Sequence, residues 1–109
     1  MPVAVITFHT RNDRFDSEYE KSKFFRELHG WKQTVPRNGK RYVYARKGVL
    51  GEVPHIKIAD STFIVPTEMA KTLMGYFEEW ADKVDVEMLN MMMQQQEFMK
   101  RMSQEMREL

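Results

Sequence analysis

The residues best equipped for chemistry are six cations in the middle of the chain. Lys32, Arg37, Lys40, Arg41, Arg46 and Lys47 lie within a stretch, Leu28 to Gly51, that holds no acidic residue. Positive charge at that density attracts polyanions or an acidic protein surface. Arg37, Lys40 and Arg41 surround Asn38-Gly39, and an Asn-Gly pair between two strand-like runs predicts a hairpin with a type I′ turn, because both central residues need positive φ. A ribbon with cations at its tip, extended by Lys32, Arg46 and Lys47 along its strands, would contact nucleic-acid phosphates, and each neutralised phosphate releases counterions. The turn pairs Val35 with Tyr42, Gln33 with Tyr44 and Trp31 with Arg46. One face then holds Trp31, Val35, Tyr42 and Tyr44, and the other holds Lys32, Thr34, Val43 and Ala45. The aromatic row is expected to pack on a helix bearing Phe24, Phe25 and Leu28; an open row would offer rings for bases to stack on.

Signals for catalysis are sparse. The chain has no cysteine, which excludes disulfides, thiolate metal sites and a cysteine nucleophile. His9, His29 and His55 are the three histidines, and no two have the spacing of metal ligands on a helix. There is no Gly-rich phosphate loop, nucleophile elbow or His-Glu-x-x-His. His9 with Asp13 or Asp16, just past the first strand, is the one arrangement that would suit a metal-dependent nuclease. Carboxylates scattered through a polar connection are more simply caps and turn formers. No catalytic residue, metal or cofactor is expected, and His55, between Pro54 and alternating isoleucines, reads as a structural histidine.

The elements that position these residues can be read along the chain. Val3 to Phe8 is β-branched and aromatic, nearly continuous in apolar character, and predicts a strand buried on both faces. Ser17-Glu18-Tyr19-Glu20 has the form of a capping box, opening a helix that runs to about Leu28 and closes at His29-Gly30. Trp31 to Val35 and Arg41 to Lys47 form the hairpin, Val49 to Pro54 a loop, and His55 to Ile58 and Thr62 to Val65 two further short strands. Pro66-Thr67-Glu68 opens the last element, with Thr67 as N-cap and Glu68 at the positive end of the helix dipole.

From that point a heptad seam runs through Ala70, Met74, Phe77, Ala81, Val84, Met88, Met91, Gln95, Phe98, Met102, Glu105 and Leu109. It predicts a long amphipathic helix over 67–109, roughly 64 Å if continuous, whose weak point for a kink or break is 82–86, where helix propensity is poor. Such a seam needs a partner, most simply a second copy in a coiled coil or bundle. Met74, Phe77, Ala81, Val84, Met88, Met91, Gln95, Phe98 and Met102 would form that interface, with Gln95 setting register. The alternative is that the segment folds back as two short helices and caps its own sheet.

Taken together, 109 residues predict an α+β protein. Residues 1–66 form a globular unit with a small, mostly antiparallel sheet and one packed helix, carrying the basic hairpin over 31–47; residues 67–109 form a helical oligomerisation arm. Charge divides the same way: residues 1–66 have a balance of +5 and residues 67–109 of −4. No run approaches the roughly 18 apolar residues of a membrane span, and the apolar start is too short for a signal peptide, so a cytoplasmic location is expected. These features point to a non-catalytic nucleic-acid-binding protein, a small dimeric DNA-binding regulator. The alternative is an oligomeric adaptor that binds a protein partner through its Met-rich helix.

Overall fold

Val3, Ala4, Ile6 and Phe8 are all buried, and a strand apolar on both faces must be covered on both and paired along both edges. The rest of the chain meets that requirement. The structure, a computed structural model, describes residues 1–108, with side chains through Gln104. The first strand, β1 (Pro2–Thr10), is followed by α1 (Glu18–His29) and by the hairpin β2 (Gly30–Arg37) and β3 (Lys40–Lys47). Then come β4 (Ile56–Ala59), β5 (Thr62–Pro66), α2 (Ala70–Glu79), β6 (Val84–Met92) and α3 (Gln95–Glu108). β1 is flanked antiparallel by β5, from Val3↔Pro66 to Thr7↔Thr62, and by β6, from Pro2↔Met92 to Thr10↔Val84. The order across the sheet is β4-β5-β1-β6, and β2 and β3 form a separate two-stranded sheet. The protein is thus a mixed α+β fold around a small antiparallel sheet.

Alternation divides the two faces of the sheet. Ala4, Ile6 and Phe8 point to the face covered by α1 and α2, where they meet Phe24, Leu28, Phe63, Leu73 and Phe77. Phe8 lies at the centre of this layer, its ring 5.3 Å from Phe77, 5.5 Å from Phe24 and 6.1 Å from Phe63. The Tyr76 hydroxyl donates to the Phe24 carbonyl at 2.7 Å, joining the two helices. On the opposite face α3 inserts Phe98 against Val3 and Ile56. The capping box at α1 forms as its sequence predicts: Ser17 Oγ accepts the Glu20 N–H at 3.1 Å, while Glu20 Oε1 accepts the Asp16 N–H at 3.0 Å.

The long helix over 67–109 does not form, and neither does its coiled-coil seam. α2 ends at Glu79; the Lys83 and Val84 N–H groups then close a tight turn on the Trp80 carbonyl at 2.8 and 2.9 Å. The chain returns to the sheet as β6. It does fold back on its own sheet, but with a strand between the helices. The physical reason is the free edge of β1, whose unpaired N–H and C=O groups need a ladder; β6 supplies nine paired positions, and Val84 and Val86 favour a strand. The seam residues scatter accordingly. Phe77, Val84 and Phe98 are buried inside one chain, Met74 and Met102 pack partly against it, and Met88 and Met91 are exposed on opposite faces of β6. Ala81 and Gln95 are exposed; Glu105 and Leu109 fall outside the described side chains. Thr67 is not an N-cap: residues 67–69 form a 3-10 turn with no side-chain cap, and Thr67 Oγ1 is buried without a hydrogen bond.

Two ion pairs hold the return strand and its turn. Arg11 donates to Asp85 through Nε at 2.8 Å and Nη2 at 2.6 Å, and Lys83 in the turn bonds Glu20 of α1 and lies 3.6 Å from Asp16. A chain ended after Lys83 exposes one edge of β1 and should lose its cooperative thermal transition by circular dichroism. One ended after Met93 should keep a transition at lower temperature. The hydrogen bond from Lys83, then that from the Asp16 N–H, hold the Glu20 carboxyl below its ordinary range; Arg11 does the same for Asp85. Lowered native values mean the pairs contribute stability above the ordinary carboxylate range and lose it as pH falls through the native values. The melting temperature should therefore be level near neutrality and drop in acid, and Glu20→Gln with Asp85→Asn should flatten part of that drop.

Candidate nucleic-acid interface

The hairpin forms with the turn and register that its sequence predicts. Asn38 and Gly39 have φ of 53° and 76°, the paired positive values of a type I′ turn. Val35 pairs with Tyr42, Gln33 with Tyr44 and Trp31 with Arg46, and the ladder runs from Gly30↔Lys47 to Arg37↔Lys40. Eight residues per strand make a ribbon about 26 Å long at roughly 3.3 Å per residue.

Two glycines allow its base to close against α1. A Cβ on Gly48 would lie 2.3 Å from the Leu28 carbonyl oxygen and 2.4 Å from the Gly30 nitrogen. Gly30 has φ of +88°, and a Cβ there would lie 2.5 Å from the Arg46 carbonyl oxygen. Beyond Gly48, Leu50 and Val53 enter the main core. The ribbon is thus anchored at its root and reaches away from the four-stranded sheet.

The aromatic row does not pack on α1. Phe24 and Leu28 are committed to the main sheet through Phe8 and Phe63, and Phe25 stacks beside Phe8 and His29. Trp31, Tyr42 and Tyr44 remain 38%, 43% and 40% exposed. The register sets charged residues on the same face, since directly paired residues share a side. Trp31 with Arg46, Gln33 with Tyr44, Val35 with Tyr42 and Arg37 with Lys40 make one continuous face of three rings and three cations. Arg46 is held by a 2.8 Å bond from Nε to Gln33 Oε1 and sits over the Tyr44 ring at 5.6 Å, a cation–π arrangement. Lys32, Arg41 and Lys47 lie on the opposite face with Thr34, Val43 and Ala45. Every residue of β3 is exposed, and among the described residues none of the six cations forms an ion pair with a carboxylate. The exposed aromatics are the part that sequence reasoning turned inward; strand parity already placed Trp31 beside Arg46, and that pairing was the available signal.

The loop after β1 has no comparable arrangement. His9 is exposed opposite Asp85 in the ladder, Asp13 lies in a 3-10 turn, and Asp16 faces Lys83. Among the described residues no three His, Asp or Glu side chains converge in a way that would hold a metal. His55 Nδ1 donates to the Val53 carbonyl at 2.9 Å, and its ring stands edge-on to Phe63. No described helix is long and apolar enough to cross a membrane. Compared with protein-family models, with curated proteins and with solved structures, the chain matches none.

Gly48→Ala tests how the hairpin is anchored. The clash is with backbone atoms that cannot rotate away, so the substitution should cost at least about 2 kcal/mol of stability. Gly39→Ala, where nothing lies near the added methyl, should cost about 1 kcal/mol from the positive φ alone. Denaturant unfolding of the two variants separates these values.

Proposed function

We propose that this protein binds nucleic acid without catalysis, through the exposed aromatic and cationic face of the β2–β3 hairpin. The observation that carries the reading is that Trp31, Tyr42 and Tyr44 are each about two-fifths exposed and lie on the same side as Arg37, Lys40 and Arg46. Large aromatics are usually turned into a core. Set among cations that form no ion pair with a described carboxylate, on a ribbon free of acidic residues, they supply both parts of a single-strand platform: rings for stacking and charges for the backbone. Duplex would meet only the charges, through phosphate contacts at the tip and along the strands. Unpaired bases are therefore the preferred ligand, and a role as a DNA-binding regulator belongs to this reading as its DNA form.

In this arrangement Arg37, Lys40 and Arg41 contact phosphates at the turn. Arg46, steadied by Gln33 and Tyr44, continues the track toward the root, where Trp31 offers the largest ring. Lys32 and Lys47, on the reverse face, add to the field without touching the stacked bases.

Fluorescence anisotropy with a labelled mixed-sequence single strand and its duplex, over a range of salt, tests the proposal. The single strand should bind more tightly, with affinity falling steeply in salt. Converting Arg37, Lys40 and Arg41 to alanine should weaken both ligands and flatten the salt slope by up to about three ion equivalents. Trp31→Ala or Tyr44→Ala should cost the single strand about 1–3 kcal/mol while leaving the salt slope in place. Equal binding by the triple variant, or no binding by the parent protein at low salt, would end the proposal.

A further inference from the structure

The main sheet has two edges that differ in kind. β4 is four residues long, its pairing shifts between Lys57 and Ala59, and α3 packs beside it through Phe98 and Ile56. Short, bulged and covered edges resist pairing with other chains. β6 at the other edge is nine residues long, contains no proline, and carries no charge from Met88 to Met92. Met88, Leu89, Met91 and Met92 are 42%, 68%, 51% and 75% exposed. A long apolar edge of this kind is a template for strand addition.

Its backbone indicates which groups are available. Met93 N–H donates to the Met1 carbonyl at 2.9 Å and Arg11 N–H to the Lys83 carbonyl at 2.8 Å. With the β1–β6 register, this makes the odd-numbered residues of β6 the ones bonded to β1. In an antiparallel ladder alternate residues point to opposite sides, so Val86, Met88, Asn90 and Met92 turn their N–H and C=O groups to the open edge. Among the described residues no strand pairs with that edge.

We infer that β6 pairs antiparallel with β6 of a second copy, about a twofold axis through Asn90, to make one continuous eight-stranded sheet. The sequence of the strand is self-complementary about that point. Asn90 meets Asn90 and Met88 meets Met92, each pair exchanging outward backbone bonds. Leu89 meets Met91 on the side of the sheet that carries α3, where they pair with Val5 and Val3. The acidic residues are kept apart: Glu87 falls opposite Met93 of the second copy, and the two Glu87 carboxylates stand about 20 Å from each other at 3.4 Å per residue, beyond the Debye length of about 8 Å. Moving the axis to Leu89 would bring the two Glu87 carboxylates closer, to about 14 Å at 3.4 Å per residue. A second copy is therefore the occupant that the charge pattern fits, through an isologous contact that closes. This inference is independent of the hairpin's ligand.

Sedimentation of the full chain over a range of micromolar concentrations should show a species of twice the 13.1 kDa chain mass that dissociates on dilution. Asn90→Pro removes an N–H that no described residue uses, at an edge where proline is tolerated. It should leave the circular dichroism spectrum unchanged and weaken association at least tenfold. Because the chain has no cysteine, register can be tested directly. The double variant Leu89→Cys, Met91→Cys should cross-link into dimers under mild oxidation, while neither single variant should. A monomer at all concentrations, a dimer untouched by Asn90→Pro, or ready cross-linking of Leu89→Cys alone would overturn the inference.

Discussion

The structure depends on pairing both edges of β1. A nine-residue strand with Val3, Ala4, Ile6 and Phe8 buried cannot stand at an edge without leaving backbone donors and acceptors unpaired beside apolar surface. Such groups cost about as much as a lost hydrogen bond each. Satisfying β1 requires β5 on one side and β6 on the other, and that sets where the chain must go. α1 and α2 then fall on the same face because the connections β1–α1 and β5–α2 both leave it there, and Phe8 becomes the point at which both helices and β5 meet. Arg11–Asp85 and Lys83–Glu20 act on the same joint: each ties the returning segment to the part of the chain it must reach. Arg11–Asp85 is half-exposed and contributes little individually, while Lys83–Glu20 is largely shielded from solvent. Their effect is to fix where β6 begins.

Local signals were legible where a single residue type had one physical reading. Ser17 and Glu20 could only be a helix start, Asn38-Gly39 could only be a tight turn, and the pairing of Trp31 with Arg46 followed from that turn. The capping box, the hairpin register and the α+β class were therefore readable. Residues 67–109 were not, because their apolar residues satisfy two periods. Val84 and Met88 are four apart, which places them on one face of a helix and equally on one face of a strand. The deciding fact was not in the segment at all. It was the unpaired edge of β1, some eighty residues upstream, and a non-local demand of this kind overrides local periodicity. Thr67 failed as a cap for a related reason, since the 3-10 turn at 67–69 delays the helix to Ala70.

The candidate site was legible in composition and misread in orientation. Six cations between Leu28 and Gly51 are visible to simple inspection, and the structure leaves them without carboxylate partners among the described residues. The aromatic row was assigned to a core because aromatic strand faces usually serve one. What the sequence could not show is that α1 has no face to spare. Phe24 and Leu28 are already fully buried against the four-stranded sheet, and Trp31, Tyr42 and Tyr44 stay outside the core, each about two-fifths exposed. Competition between two sheets for one helix settled the orientation.

That competition bears on why the hairpin exists. A two-stranded ribbon is at best marginally stable by itself, and this one has no fully buried side chain to offset the ordering of sixteen strand residues. Its backbone is held by the close crossing at Gly30 and Gly48 and by Leu50 beyond it. A chain selected for stability alone would shorten such an element or place polar residues at 31, 42 and 44. Retaining three large rings outside the core and partly exposed, interleaved with Arg37, Lys40 and Arg46, makes stabilisation of this fold a poor account of the ribbon. Contact with a ligand that is both planar and anionic accounts for the rings and the charges together, and unpaired nucleic acid is the ligand class that combines those two properties along an extended strand.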